Sequence, residues 1–195
     1  KLAYLKREND RNIYYEDNGN GATAIILIHA WGMNLRAWDG TIPHLLDAGH
    51  RVVTLDHRGC GQSDKDFDDM SIDAIAGDVV ALVAELGLTK VMLNGWSIGG
   101  AIAIEAASIL KSTCCSLALT CPAAPVYLQK EDFPHGGTEE VLSGTLAALK
   151  ADRPNFLKNL ARGIYAAEVS EEVIDWTWSL FTAASPTTAN TLAEL

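Results

Sequence analysis

Short aliphatic runs alternate with longer amphipathic segments over the first 125 residues, and this alternation constrains the fold more than any other feature. The runs are too short for helices and are bounded by turn residues, so they predict strands buried on both faces. These strands are expected at 24–29, 51–55, 91–93 and 117–120. Two alternating stretches precede them, at 2–7 and 12–16, and predict an antiparallel pair.

The segments between the aliphatic runs predict helices. We expect these helices at about 35–48, from the N-cap Ser71 to Gly87, and at 98–110. The last of them is apolar on almost every face and is therefore expected to be buried. Strands that alternate with helices predict βαβ units and a mostly parallel sheet, which defines an α/β fold.

The character of the chain changes after Pro125. Residues 126–195 predict helices and loops without a clear strand, with helices at 139–150, 154–166 and 171–181. We therefore expect two domains, a core at 1–125 and a helical lid at 126–195. Such a lid would cover the carboxyl edge of the sheet, where open α/β folds bind ligands. Trp176, Trp178 and Phe181 are expected to pack between lid helices rather than to contact a substrate.

Composition excludes several classes of partner. The net charge of −10 argues against binding to nucleic acid or to an anionic membrane surface, because both require clustered basic residues. No signal peptide or membrane span is visible, and the four cysteines show no metal-ligand spacing. We expect a cytoplasmic protein with reduced, buried thiols, no metal and no cofactor.

One motif carries chemistry. Gly95-Trp96-Ser97-Ile98-Gly99 matches G-x-S-x-G and lies between a predicted buried strand and a predicted buried helix. A serine on that sharp turn projects its hydroxyl from the sheet edge, and the glycines allow strand and helix to approach closely. The alternative is a Gly/Ser-rich loop that only turns the chain. The strand–turn–helix context favours the first interpretation.

Two further segments make the pattern specific. His29-Ala30-Trp31-Gly32 follows the first aliphatic strand, and the loop after the next strand reads Asp56-His57-Arg58-Gly59-Cys60-Gly61-Gln62-Ser63-Asp64. In this order, the three motifs resemble the α/β-hydrolase superfamily over about residues 12–125. Within it, they resemble the branch of small esterases, lactonases and cofactor-free haloperoxidases.

The resemblance implies a role for each matching residue. Ser97 would be the nucleophile, and the backbone N–H groups of Trp31 and Ile98 would form the oxyanion hole. Trp31 and Trp96 flank this site and are candidates for substrate-binding walls, with core packing as the alternative. The implied substrate is a small-molecule ester or lactone. Ala30 departs from the family, which usually has glycine there.

The rest of a catalytic triad is not evident. In this fold the acid and then the histidine follow the serine along the chain, but His135 is the only histidine after Ser97 and has no strand before it. We expect the chain to be a fragment without the C-terminal strands, with its acid and base beyond Leu195. His29 is expected to orient the oxyanion loop, and His57 to make structural hydrogen bonds.

Other functions remain open. A receptor-like member of the same fold would bind a ligand without turnover, and a perhydrolase or haloperoxidase would use the same serine. A dinucleotide-binding domain is excluded, because Gly95–Gly100 lacks glycine at the third position of G-x-G-x-x-G.

Overall fold

The computed structural model describes residues 2–189 and 191. Its six strands, among these residues, form one mixed sheet in the order β1-β2-β4-β3-β5-β6. The strands are β1 (Leu2–Lys6), β2 (Asn12–Asn18), β3 (Ala24–Ile28), β4 (Arg51–Leu55), β5 (Val91–Trp96) and β6 (Cys114–Thr120). The helices are α1 (Ile42–Asp47), α2 (Ile72–Glu85), α3 (Ile98–Leu110), α4 (Glu139–Gly163) and α5 (Glu171–Thr182).

The sheet has the expected α/β character. Strands β4, β3, β5 and β6 run parallel to one another, and β1 and β2 add an antiparallel edge next to β4. All five residues of β3 are buried, as a central parallel strand requires. Alternate side chains of β3 point into two cores, one against α2 and α3 and the other against α1 and Trp38.

Helix α2 begins as the sequence predicts. The Ser71 hydroxyl accepts a hydrogen bond from the backbone N–H of Ala74, which satisfies one of the free donors of the first turn. Gly87 follows the helix with a φ of 60°, a conformation that glycine adopts without strain.

The prediction of one continuous helix at 35–48 is wrong. The segment is divided into a 3-10 turn at Leu35–Trp38 and the short α1. Pro43 lies in the first turn of α1, where its missing N–H and fixed φ favour the start of a helix over its interior. Helix α4, by contrast, joins two helices that were expected to be separate, across a kink at Asp152 just before Pro154.

Two expectations about burial are also wrong. The outer face of α3 is open, with Ile104 and Ile109 partly exposed, and β6 exposes Leu117 and Leu119. Of the four cysteines only Cys60 is fully buried, whereas Cys115 and Cys121 are exposed. Both differences arise at the β6 edge, which among the described residues pairs only with β5.

The segment after residue 125 lies over the carboxyl edge of the sheet. Its helices α4 and α5 bury Leu157, Ala161 and Phe181 against Ala30 and Met33 of the loop after β3. This packing brings the segment onto the edge where β5 ends. No helix among the described residues is both long and apolar enough to cross a membrane.

Candidate active site

The turn between β5 and α3 holds Ser97 in a strained conformation. Its φ of 56° and ψ of −120° are rare for a residue with a side chain. The surrounding backbone fixes this turn, because the Ser97 N–H donates to the carbonyl of Thr120 at 3.0 Å. The Ser97 carbonyl in turn accepts from the N–H of Gly100 at 2.8 Å and of Ala123 at 2.9 Å. A strained conformation that several backbone hydrogen bonds hold in place is typical of functional turns.

The glycines beside Ser97 are required by close backbone contacts. A Cβ on Gly95 would lie 2.0 Å from the carbonyl oxygen of Gly99, and a Cβ on Gly99 would lie 2.4 Å from the carbonyl oxygen of Ile28. A Cβ on Gly100 would lie 2.6 Å from the Pro122 ring. Strand and helix therefore approach as closely as the motif predicts.

The loop after β3 is held by a buried histidine pair. The His29 and His57 rings stack with centroids 3.6 Å apart. His29 Nε2 accepts the His57 backbone N–H at 2.9 Å, so Nδ1 carries the proton that is donated to the Ala30 carbonyl at 2.7 Å. Burial lowers the pKa of His29 to about 4, which keeps the ring neutral. Because the Ala30 carbonyl and the Trp31 N–H share one peptide plane, this hydrogen bond also orients the Trp31 N–H.

The interaction of His57 differs from the expectation. Its side-chain Nε2 has no hydrogen-bond partner within the described residues, and the contact with His29 is made by the backbone N–H. Burial lowers the pKa of His57 well below its usual value, so this ring too is neutral. The His57 side chain contacts His29 by ring stacking.

Asp56, at the end of β4, ties two loops together. Its carboxylate accepts the N–H of Leu35 and the N–H of Gln62, each at 2.7 Å. Gly61 leaves room for this carboxylate, since a Cβ there would lie 2.1 Å from Oδ2. Burial raises the pKa of Asp56 to about 6. The sequence motif located this loop but did not reveal that the Asp56 carboxylate joins it to the loop after β3. We call this pair of hydrogen bonds the clamp.

Arg58, two residues further on, is buried in an ion-pair network. Its guanidinium donates twice to Asp78 of α2, at 2.6 and 2.8 Å, and also pairs with Glu8. Arg7 donates to the same Asp78 carboxylate at 2.6 Å. The network joins three elements: the turn between β1 and β2, helix α2, and the loop that follows β4. It therefore holds these elements together beneath the site.

We call the turn between β5 and α3 that carries Ser97 the elbow. A cavity of about 410 Å³ lies between the elbow and the lid, and we call it the lid cavity. It brings together the four residues predicted from the sequence, Trp31, Trp96, Ser97 and Ile98. The remaining wall is mostly apolar and comes from loops and lid helices: Ala30, Met33, Cys121, Ala123, Tyr127, Thr145, Phe156, Leu160, Ile164 and Phe181.

Sequence reasoning missed the lid side of this wall. Phe156 and Leu160 of α4 and Ile164, the residue directly after α4, follow one another at spacings of four, a signal for a common helix face that could have suggested them. Phe181, expected only to pack between helices, also lines the cavity. Trp178 packs in the lid as expected, while Trp176 is partly exposed.

Two backbone donors beside Ser97 are available. In the part of the chain that the structure describes, neither the Trp31 N–H nor the Ile98 N–H donates a hydrogen bond. The Ile98 N–H belongs to the first turn of α3, whose positive end favours negative charge. The Trp31 indole donates to the Thr188 carbonyl at 2.9 Å, which places that ring between loop and lid.

The general base expected for Ser97 is not among its contacts. Within the described residues Ser97 Oγ has no hydrogen-bond partner, and His135 lies in a neighbouring loop without bonding to it. No cluster of three or more potential metal ligands occurs in the described ranges. The position of the acid and base beyond Leu195 stays a prediction.

Known proteins resemble this chain along most of its length. The family model described as alpha/beta hydrolase fold matches residues 23–165. The AB hydrolase superfamily protein YisY of Bacillus subtilis (strain 168) is 33% identical over 93% of this chain and 68% of its own length. A putative non-heme chloroperoxidase of Synechocystis is 31% identical over 89% of this chain and 65% of its own length. The chain thus spans about two thirds of each relative.

A solved structure agrees with these matches. The esterase EaEST from Exiguobacterium antarcticum superposes with a TM-score of 0.94 at 30% identity, over 98% of this chain and 72% of that one. The fold, the elbow and the family match point the same way, and the chain belongs to the α/β-hydrolase family.

Proposed function

We propose that this chain is the nucleophile-bearing part of a serine hydrolase that cleaves a small carboxylic ester or lactone through an acyl-enzyme on Ser97. One observation carries the proposal. A strained serine borders a mostly apolar cavity, next to two backbone N–H groups that have no partner in the described structure. That combination suits a carbonyl whose oxygen becomes negatively charged during reaction.

The proposed chemistry has two halves. Ser97 Oγ attacks the carbonyl carbon and gives its proton to a general base, while the Trp31 and Ile98 N–H groups stabilise the oxyanion, by about 3 kcal/mol for each donor. Collapse of the tetrahedral intermediate expels the alcohol, which takes up the proton, and leaves an acyl-enzyme. Water, deprotonated by the same base, then releases the carboxylic acid and restores the serine. We assign the base and its acid partner to residues that follow this chain, in the usual order for the fold.

Covalent labelling tests this proposal on the natural gene product that contains the chain. A serine-directed phosphonate is expected to modify Ser97 once per molecule, as read by mass spectrometry of the peptide, and an ester with a chromogenic alcohol is expected to give a burst of product. Ser97→Ala should abolish both signals. Ser108→Ala, which changes a helix serine whose side chain bonds only within α3, should leave both intact. Intact protein without labelling and without a burst would contradict the proposal and favour a ligand-binding protein.

A second candidate is perhydrolase chemistry, which the chloroperoxidase-named relative favours. Hydrogen peroxide would replace water as the attacking group, and the acyl-enzyme would then release a peracid. The two candidates differ in the second half-reaction only. Halogenation of an organic acceptor by bromide that requires the ester, hydrogen peroxide and Ser97 together would support the perhydrolase, because the released peracid oxidises the bromide.

A further inference from the structure

A small cavity lies beside the loop that carries Trp31, where two loops, two helices and the lid meet. Its volume is about 10 Å³, and we call it the His57 cavity. The loops after β3 and β4, helices α2 and α3 and the end of the lid all line it: Trp31, Gly32, His57, Arg58, Cys60, Ile75, Ile98, Thr188 and Thr191. The volume is that of about one water molecule, so an organic ligand does not fit.

His57 brings a buried polar atom without a partner to this cavity. Its Nε2 is one of four such side-chain atoms in the described part of the chain. The other three belong to Arg36, Trp38 and Thr54, none of which lines the cavity. Buried polar atoms of folded proteins are nearly always hydrogen-bonded, either to protein or to ordered water. The His57 ring therefore marks a site that suits water.

Two threonines of the lid determine which hydrogen bonds such a water can make. The Thr188 hydroxyl donates to the Ser185 carbonyl at 2.7 Å, and the Thr191 hydroxyl donates to the Met70 carbonyl at 3.2 Å. Both hydroxyl hydrogens are thus used, and both oxygens can still accept. A water that donates its two hydrogens to these oxygens can only accept from the ring of His57. His57 Nε2 must then carry the proton.

His57 is connected to the Trp31 N–H through His29. The His57 backbone N–H donates to His29 Nε2, and the two rings stack. His29 Nδ1 donates in turn to the Ala30 carbonyl, which shares a peptide plane with the Trp31 N–H. A partner that fixes the His57 ring therefore also supports the orientation of this N–H.

We propose that the His57 cavity binds one ordered water, which accepts a hydrogen bond from His57 Nε2–H and donates to the hydroxyls of Thr188 and Thr191. Through this water, His57 is a positioning residue for the Trp31 N–H. The two stacked rings then carry their protons on different nitrogens, Nδ1 in His29 and Nε2 in His57. The water site is independent of the proposed function at Ser97, whereas the positioning role rests on it.

Two measurements on the unaltered natural gene product test the water site. A crystal structure that shows ordered waters is expected to contain one at about 2.7–3.2 Å from His57 Nε2. Nitrogen-15 NMR of the histidine side chains is expected to place the proton on Nε2 of His57 and on Nδ1 of His29. An empty cavity in a map that shows other buried waters, or a proton on His57 Nδ1, would overturn the assignment.

A variant tests the positioning role. His57→Phe keeps an aromatic ring for the stack but offers no hydrogen bond, and cavities without polar partners stay dry. We expect the water to be lost and kcat for ester hydrolysis to fall about tenfold with KM unchanged, because the oxyanion contact stabilises the transition state more than the bound ester. The matched control is Thr54→Val, which removes another buried atom without a partner outside the cavity and should change neither quantity.

A second variant leaves the histidine stack intact. Thr191→Val removes one acceptor of the water and should give a smaller fall in kcat, again without a change in KM. Retention of the water in His57→Phe would overturn the water site. An unchanged kcat in both variants, or an equal fall in Thr54→Val, would overturn the positioning role. The ordered water together with no hydrolysis and no phosphonate labelling of the natural protein would overturn the serine hydrolase instead, and would leave the water site standing.

Discussion

The elbow and the lid both surround the lid cavity, but they are built on different kinds of contact. At the elbow, backbone meets backbone: Gly95 and Gly99 leave no room for a single added carbon. In the lid, side chains such as Leu157 and Ala161 fill the interface, while Gly144 of α4 has no atom within 4 Å of the place of a Cβ. The comparison teaches that backbone contacts fix the conformation of the elbow, whereas side chains set the shape of the lid cavity.

The burial of charged groups also differs between the core and the lid. The core buries ionisable groups in hydrogen-bonded pairs, as in Arg58–Asp78 and the His29–His57 stack. The ion pairs between α4 and α5, such as Arg162–Glu171, lie at the surface with each side chain about half exposed. Stability should therefore depend strongly on charge in the core and weakly in the lid.

The largest effect is expected at Asp78. Asp78→Ala removes the carboxylate that pairs with the buried Arg58 and with Arg7, and leaves a buried cation with less compensation. We expect the free energy of unfolding to fall by about 4 kcal/mol, measured by urea denaturation. A loss below about 1 kcal/mol would show that the network is no more important than a surface pair.

The next effect separates two glycines. Gly99→Ala places a Cβ against the carbonyl oxygens of Ile28 and His29, so α3 or β3 must shift, and we expect a loss of about 3 kcal/mol. Gly144→Ala is the matched control in the lid and should stabilise the helix by up to about 1 kcal/mol. Thermal unfolding of both variants measures the contrast. Similar changes in the two would contradict the proposed difference between elbow and lid.

Lowering the pH should reduce the free energy of unfolding, because His29 is buried as a neutral ring. Its pKa is about 4 in the folded protein, below the value of an unfolded histidine, so the unfolded chain takes up the proton first as pH falls. The stability contributed by neutral His29 is complete above the unfolded pKa and is lost as pH falls toward 4. From about pH 7 to about pH 5 the loss is about 2 kcal/mol.

The measurement of this loss requires a variant. Asp56, whose raised pKa acts in the opposite direction over an overlapping range, is present in both wild type and His29→Asn and largely cancels from their difference. The excess stability of wild type over His29→Asn should shrink by about 2 kcal/mol between the two pH values. A constant difference would mean that His29 is not kept neutral by burial.

The smallest effect is expected at the lid surface. Arg162→Ala removes two hydrogen bonds to Glu171, at 2.7 and 2.9 Å, between well-exposed side chains. The loss of stability should be the smallest of this series and should diminish further in high salt. Denaturation at low and high ionic strength measures it. An effect as large as that of Asp78→Ala would erase the distinction between the two regions.

Much of the fold was predictable because local signals agree with tertiary packing. The aliphatic runs of β3 and β4 and the Ser71 cap of α2 each act within a few residues. The end of β5 was missed, because Asn94 and Gly95 favour turns in isolation and are held extended by pairing with β3 and β6. The start of β6 was missed for the same reason, since Cys114 to Ser116 carry little strand preference.

The site was predictable only where chemistry forces a motif. Gly95, Ser97 and Gly99 form a pattern because few other residues can occupy that backbone. The contacts that complete the cavity come from Phe156 and Phe181, at chain separations that no local pattern encodes. The clamp at Asp56 was hidden because its partners are backbone N–H groups, which every sequence has.

The hydrogen bond from the Trp31 indole to the Thr188 carbonyl has a mechanical consequence. It fastens the loop that carries the Trp31 N–H to the turn at Pro186–Thr188, so the two cannot separate unless this bond breaks. Any displacement of that turn from the sheet must therefore either break this hydrogen bond or move the loop after β3 with it.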